Sequence, residues 1–229
     1  MAFLLHGVHV PHKKGTAGMS PVNMSTPATV CIPMAMHIGK PATPVVKAGD
    51  EVCVGTLIGE QSGYVSSPVY SSVSGTVKEV SEKVMSDGKK VAVVVIESNG
   101  LQTEDPDMKA PVVTNREELL DAMAKSGVVG LGGAGFPTYV KFAAEPEKIE
   151  ELIINGAECE PYITSDHRLL LESPEEVIGG AAILARILQD YSEPVPGARE
   201  RVEKVLCVML TAWVAARMKQ EAEAMLEGL

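Results

Sequence analysis

The stretch Gly127 to Lys141, GVVGLGGAGFPTYVK, constrains this chain more than any other. Four glycines fall at Gly130, Gly132, Gly133 and Gly135, followed at once by Phe136 and Pro137. Glycine is used where backbone bends at positive φ or lies close to a ligand, and a glycine-rich loop leaves its N–H groups uncovered for an anion. Gly130-x-Gly132-x-x-Gly135 has the spacing of a dinucleotide loop. Two features separate it from the ordinary Rossmann pattern. Pro137 fixes φ where a helix would already be running, and no acidic residue ends a second strand about 20 residues on. A glycine-rich turn between helices is the alternative reading. A second dense stretch, ELIINGAECEPYITSDHR, runs from Glu151 to Arg168. Its apolar ELIIN reads as a buried strand, leading into an acidic turn with Glu158 and Glu160 at the end of a sheet where α/β folds hold ligands.

Composition sets the frame for both stretches. With 229 residues the chain has room for one large or two small domains. Apolar residues make up 45% and aromatics only 4%, so Val, Ile, Leu, Met and Ala must fill the core. A net charge of −10 argues against a general nucleic-acid binder. Cys31, Cys53, Cys159 and Cys207 are widely spaced with no CxxC, which suits neither a disulfide framework nor a zinc or iron–sulfur site. Cys159 lies in the acidic turn and reads as a small buried residue or as a participant in its chemistry. No secretory h-region is visible, and the apolar run Val205 to Ala216 is too short to span a bilayer.

Taken in order, residues 1–30 form an irregular arm rich in Gly, Pro, Ser, Thr and Met. His6, His9 and His12 share a spacing that invites a metal, but Pro11 breaks the helix needed to align them, and an arm packed on the body is simpler. Residues 31–100 read as short strands punctuated by Gly49, Gly59, Gly63, Gly75 and Gly88. AGDEVCVGTLIGE and SSVSGTVKEV look like the two halves of a hammerhead of the lipoyl or biotinyl kind. SDGKK at Ser86 to Lys90 lacks the setting of a modified lysine, so the module reads as structural. Residues 101–112 are a polar linker. Residues 113–190 begin with a helix whose capping box is Thr114 and Glu117, whose apolar face is Leu119, Leu120 and Met123, and whose end is Gly127. Ser173-Pro174-Glu175-Glu176 starts another helix, running to about Gln189 with Val177, Ala181, Leu184 and Leu188 on one stripe. Residues 191–229 hold a long amphipathic helix with Val202, Val205, Leu206, Met209, Trp213 and Ala216 at helical spacing.

GLGGAGFPTYVKF followed by NGAECEP resembles the flavin and NADH site of the complex I flavoprotein subunit family. The longer NGAECEPYITSDHRLLLE is more similar to the C subunit of the Rnf ion-translocating electron-transport complex. The arm supports this through Gly7, His9, Pro11, Lys14 and Thr16, as does CIPMAMHIGKPATPVVKAGDEV, with His37 in that motif as a hydrogen-bonding loop residue. The resemblance covers roughly residues 4 to 190. It implies an α+β or α/β chain with a β-rich hammerhead-like module and a partial α/β FMN/NADH-binding domain. Beyond that the resemblance fails, so the chain reads as C-terminally truncated or divergent, with the long helix as its divergent end. The resemblance assigns FMN to Gly130, Gly132, Gly133, Gly135, Lys141, Asn155 and Glu158. Phe136 and Glu160 fall on the NADH side. Taken alone, Lys141 also reads as a solvated surface lysine, Phe136 as core, and Glu160 as a helix N-cap or surface acid.

The implied role is electron transfer between NAD(H) and ferredoxin through FMN, coupled to ion translocation. The partners would be other subunits of a membrane complex, on whose cytoplasmic face the chain would sit. The family's cysteine runs for two four-iron clusters have no counterpart here, so no cluster is expected in this chain. The rival readings are a non-catalytic assembly or interaction module that keeps the fold without the cofactor, and a free-standing nucleotide-binding oxidoreductase.

Overall fold

The computed structural model describes residues 10–11, 13–130, 135–143 and 152–187. The described residues fall into two compact units, one of 24–130, 135–143 and 187, the other of 10–11, 13–23 and 152–186.

The first unit is built on seven strands: β1 Thr29–Pro33, β2 Thr43–Pro44, β3 Glu51–Val52, β4 Leu57–Glu60, β5 Val69–Tyr70, β6 Gly75–Val84 and β7 Lys90–Ser98. Pairing makes two antiparallel sheets, ordered β1-β7-β6-β3 and β2-β4-β5. The run Val93-Val94-Val95-Ile96 shows no alternation because β7 is covered on both faces, all four being buried. Ile32, Met34, Ala42, Val52, Ile58, Val69, Val73, Val77, Val94 and Ile96 form one core cluster drawn from both sheets. Where β3, β6 and β7 converge, Gly75 has φ +157°, and a Cβ there would lie 2.0 Å from the Glu97 carbonyl oxygen. The buried serines of SSPVYSSVSG are stitched to backbone and side chains: Ser71 Oγ donates to Val73 O (2.7 Å), and Ser74 Oγ donates to Asn99 Oδ1 (2.7 Å). SDGKK is the tip of the β6–β7 hairpin, with Gly88 at φ +81°.

Several expectations shift by a residue or more. β1 begins at Thr29, inside the expected arm. The expected linker is fastened to the β module: Val54 N–H donates to Thr103 O (2.8 Å), Asp105 N–H to Val54 O (2.8 Å), and the Thr56 hydroxyl to Asp105. That hydroxyl and the Asp107 N–H hold the Asp105 carboxyl below the usual range. Helix α1, Arg116–Lys125, is capped by Asn115, whose side chain accepts from Glu118 N–H (2.9 Å). Glu118 reaches back to Thr114 N–H (2.7 Å) and hydroxyl (2.8 Å). The expected Thr114–Glu117 box is thus displaced by one residue, because Asn115 and Glu118 have the same three-residue spacing and Asn caps as well as Thr. Gly127, at φ +73°, lies just past the α1 cap, where it was expected to stop the helix.

In the second unit, α3 Ser165–Glu172 and α4 Pro174–Ile187 follow the acidic turn. Pro174 opens α4 as expected. Ala181 is buried and Val177 and Leu184 half-buried, while Leu188 and the helix expected in 191–229 lie outside the described residues. α3 was not foreseen: SDHRLLLE is short and its polar start reads as turn. The strand expected at ELIIN does not form. Among the described residues 152–155 there is no ladder, and Ile153 is 58% exposed. An apolar run becomes a strand only when another strand pairs with it. The arm meets its expectation of packing over residues 13–17. Lys14 Nζ donates to Ile163 O (2.8 Å), Thr16 Oγ1 bonds Thr164 Oγ1 (2.6 Å), and Arg168 donates to Ala17 O (3.3 Å).

Candidate functional site

The described ends of the glycine stretch lie between α1 and α2 Thr138–Phe142, and among the described residues no strand leads into it. Gly130 N–H donates to Phe136 O (3.0 Å) and Thr138 N–H to Val128 O (3.0 Å), so Val129 and Pro137 bridge across its neck. Pro137, at φ −57° and ψ 123°, ends the neck and sits at the cap position of α2, which explains its place directly after Phe136. Gly132 and Gly133 lie outside the described residues.

At the neck, three predicted residues meet. Lys141 Nζ lies 5.9 Å from the centre of the Phe136 ring, and a Cβ added to Gly130 would touch that ammonium at 3.5 Å. Lys141 is exposed and Phe136 half-buried. A mobile cation, a flat ring and backbone without a side chain stand together. This donor set fits a flat ligand that carries an anionic group.

The fourth, Gly135, is buried and faces the β module. Its φ is +65°, and a Cβ would meet Met36 O at 2.8 Å and His37 Cα at 3.0 Å. Its carbonyl accepts from Ile38 N–H (3.2 Å). Two more seats come from the same module. Tyr139 donates its hydroxyl to Tyr64 O and accepts from Gln61 Nε2 (2.7 Å), and the two tyrosine rings meet edge to face at 6.1 Å. Burial pushes the Tyr139 phenol up, against the Gln61 bond. Tyr70 donates to Lys125 O, and its ring lies against Gly127. Sequence reasoning missed Gln61, Tyr64 and Tyr70, because nothing local marks a residue whose work is to hold a loop 50 to 80 positions away.

In the second unit, Asn155 Oδ1 accepts from Ala157 N–H (2.9 Å), which closes an Asx turn and leaves the residue exposed. Glu158 accepts from His167 N–H (3.0 Å) and Ser165 Oγ (3.2 Å), at the first turn of α3. Burial pushes its carboxyl up, but the N–H groups of His167 and Asp166, the Ser165 hydroxyl and Lys14 outweigh that and hold it below the usual range. Glu160 is exposed, and Cys159 is exposed rather than a small buried residue. Among the described residues no cluster of His, Cys, Asp or Glu could hold a metal, and no helix is long and apolar enough to cross a membrane. His6, His9 and His12 lie outside the described residues. His37 is the hydrogen-bonding loop residue expected.

Residues 3–101 match the family described as the RnfC barrel sandwich hybrid domain, and residues 123–224 match the Nuo51 FMN-binding domain. The chain is 47% identical over 180 residues to the C subunit of the Na(+)-translocating ferredoxin:NAD(+) oxidoreductase complex of Acetobacterium woodii, an alignment covering 76% of this chain and 40% of that protein. Over most of its length the chain is similar to Rnf C subunits. It is also 34% identical over 222 residues to the C subunit of the proton-translocating ferredoxin:NAD(+) oxidoreductase complex of Clostridium ljungdahlii, covering 93% of this chain and 48% of that protein. With the C subunit of the ion-translocating oxidoreductase complex of Pseudomonas aeruginosa the identity is 39% over 191 residues, 80% of this chain and 24% of that protein. The chain thus spans less than half the length of these curated relatives. The FMN-binding domain match continues to residue 224, past residue 190 where the legible motifs end. A barrel sandwich hybrid followed by an FMN-binding domain is the architecture, and the β module described above is the first of these.

Proposed function

We propose that this chain is the flavin-binding part of an Rnf-type C subunit and takes part in electron transfer between ferredoxin and NAD(H), coupled by its complex to ion movement. The observation that carries the reading is the glycine loop. Lys141, Phe136 and the bare backbone of Gly130 stand together in a segment that matches an FMN-binding domain. Gly130, Gly132, Gly133, Gly135 and Lys141 are assigned to FMN, with Asn155 and Glu158 of the acidic turn. Lys141 neutralises the phosphate or the flavin edge that becomes anionic on reduction. Phe136 offers its ring to the nicotinamide nucleotide, and Glu160 accepts from ribose hydroxyls. Bound FMN supplies the hydride and one-electron chemistry, and the protein supplies position and charge. The partners are the other members of a membrane complex, on whose cytoplasmic face this chain is peripheral.

One observation favours a second reading, an assembly module without cofactor. Gly130 N–H and the Glu158 carboxylate are both engaged by their own chain. Titration of the purified chain with FMN, followed by flavin fluorescence, separates the two. Bound flavin, weakened about tenfold or more by Lys141→Ala through loss of one charged contact, supports the flavin role. A folded protein that never takes up FMN supports the assembly role.

A further inference from the structure

The loop Met36–Ile38 of the β module is pinned on one side and supports the glycine stretch on the other. Ser67 N–H donates to His37 Nε2 (3.1 Å). Nδ1 of the same ring lies 3.1 Å from Ile38 O, so the neutral tautomer that accepts from Ser67 donates there. The Ser67 carbonyl oxygen is also 3.1 Å from Nε2, and a charged ring donates to it. In every protonation state the imidazole ties residues 37 and 38 to Ser67, which is itself buried. The backbone of these pinned residues is what Gly135 rests on. Ile38 N–H holds the Gly135 carbonyl, and Met36 O and His37 Cα leave no room for a side chain at Gly135.

We propose that His37 is a positioning residue for the flavin: it fixes the Met36–Ile38 turn, the turn fixes Gly135, and Gly135 leads directly into Phe136 at the neck beside Lys141. The β module then contributes to flavin affinity without touching the flavin. This rests on the reading of the loop as an FMN site.

The test is FMN affinity of the full chain, measured by fluorescence quenching, beside thermal unfolding of the same samples. His37→Ala removes both ring contacts. His37→Gln keeps an acceptor near the Nε2 position for the Ser67 N–H. Ile96→Val is a core truncation on β7 that lowers stability without altering the turn. The expected result is an FMN Kd raised about tenfold in His37→Ala, the scale of one part-buried hydrogen-bonding group lost. His37→Gln is expected to return the Kd to within about threefold of the parent, the size of a slightly misplaced hydrogen bond. Ile96→Val is expected to leave it within about twofold, since the lost methylene belongs to the core cluster, of which Met36, His37 and Ile38 are not members. FMN binding by His37→Ala equal to the parent's overturns the proposal, as does equal weakening by Ile96→Val. If the parent chain binds FMN and Lys141→Ala weakens it while His37→Ala does not, only the positioning role falls. If the parent chain takes up no FMN, the flavin reading and this proposal fall together.

Discussion

In the β module, Met34, Ile58, Val77, Val93, Val94 and Ile96 are each less than 2% exposed. Across α1 to α4, the only buried hydrophobics among the described residues are Leu170 and Ala181. The module's two sheets close on each other and satisfy their own apolar surface. The helices are short, from five residues in α2 to fourteen in α4, and isolated helices of that length are marginal in water. Three of them are held by specific polar contacts. Asn115 and Glu118 secure α1, Tyr139 anchors α2 to Gln61 and Tyr64, and Glu158 caps α3. One region is stabilised by burial and the other by specific polar contacts, and ligand-binding loops are drawn from the second kind.

Truncating the core should therefore cost most. Ile96→Ala is expected to destabilise the β module by about 2–5 kcal/mol, the range for an emptied core site. A urea midpoint unchanged from the parent would show that the module is not organised around β7. Gly135→Ala comes next. A strained φ and a 2.8 Å clash with Met36 O should cost about 1–3 kcal/mol locally and be read chiefly as loss of FMN affinity, with the β-sheet circular dichroism retained. Equal loss of sheet signal would erase the distinction between the two regions.

The acidic turn gives a pH-dependent case. Glu158 is held below its ordinary value of 4.5, so its contribution is present above that value and is lost as pH falls through the lowered one. Hydrogen exchange at the first turn of α3 should accelerate as pH is taken down from about 5, after correction for intrinsic rates. Glu158→Gln should abolish that dependence and cost about 0.5–2 kcal/mol as a lost cap. A parent profile as flat as the variant's would refute the assignment. Asn115→Ala is the smallest effect. Removing the α1 cap should cost about 1 kcal/mol and fray that helix while leaving the β module's unfolding midpoint in place.

Much of this was legible locally. The glycine stretch, Pro174 at the start of α4 and Gly127 at the end of α1 follow from what glycine and proline do to φ. The strand-rich character of residues 31–100 follows from turn residues spaced between apolar runs. The failures share a cause. ELIIN has the composition of a strand, but a strand needs a partner from elsewhere in the chain. The Thr114–Glu117 box lost to Asn115–Glu118 because two equivalent cap patterns overlap by one residue. The linker became part of the β module because Val54 happened to have its backbone groups free for Thr103 and Asp105.

The sequence by itself determined where the chain bends, which segments are strand-rich, and that a glycine-rich stretch runs directly into Phe136 and Pro137. Only the tertiary structure decided what holds that stretch. Met36 and His37 lie about a hundred positions before Gly135 and meet it through backbone atoms, which carry no signature of residue type. A contact made by a carbonyl and a Cα against a glycine is set by where the β module puts its turn, and no local pattern of side chains records it.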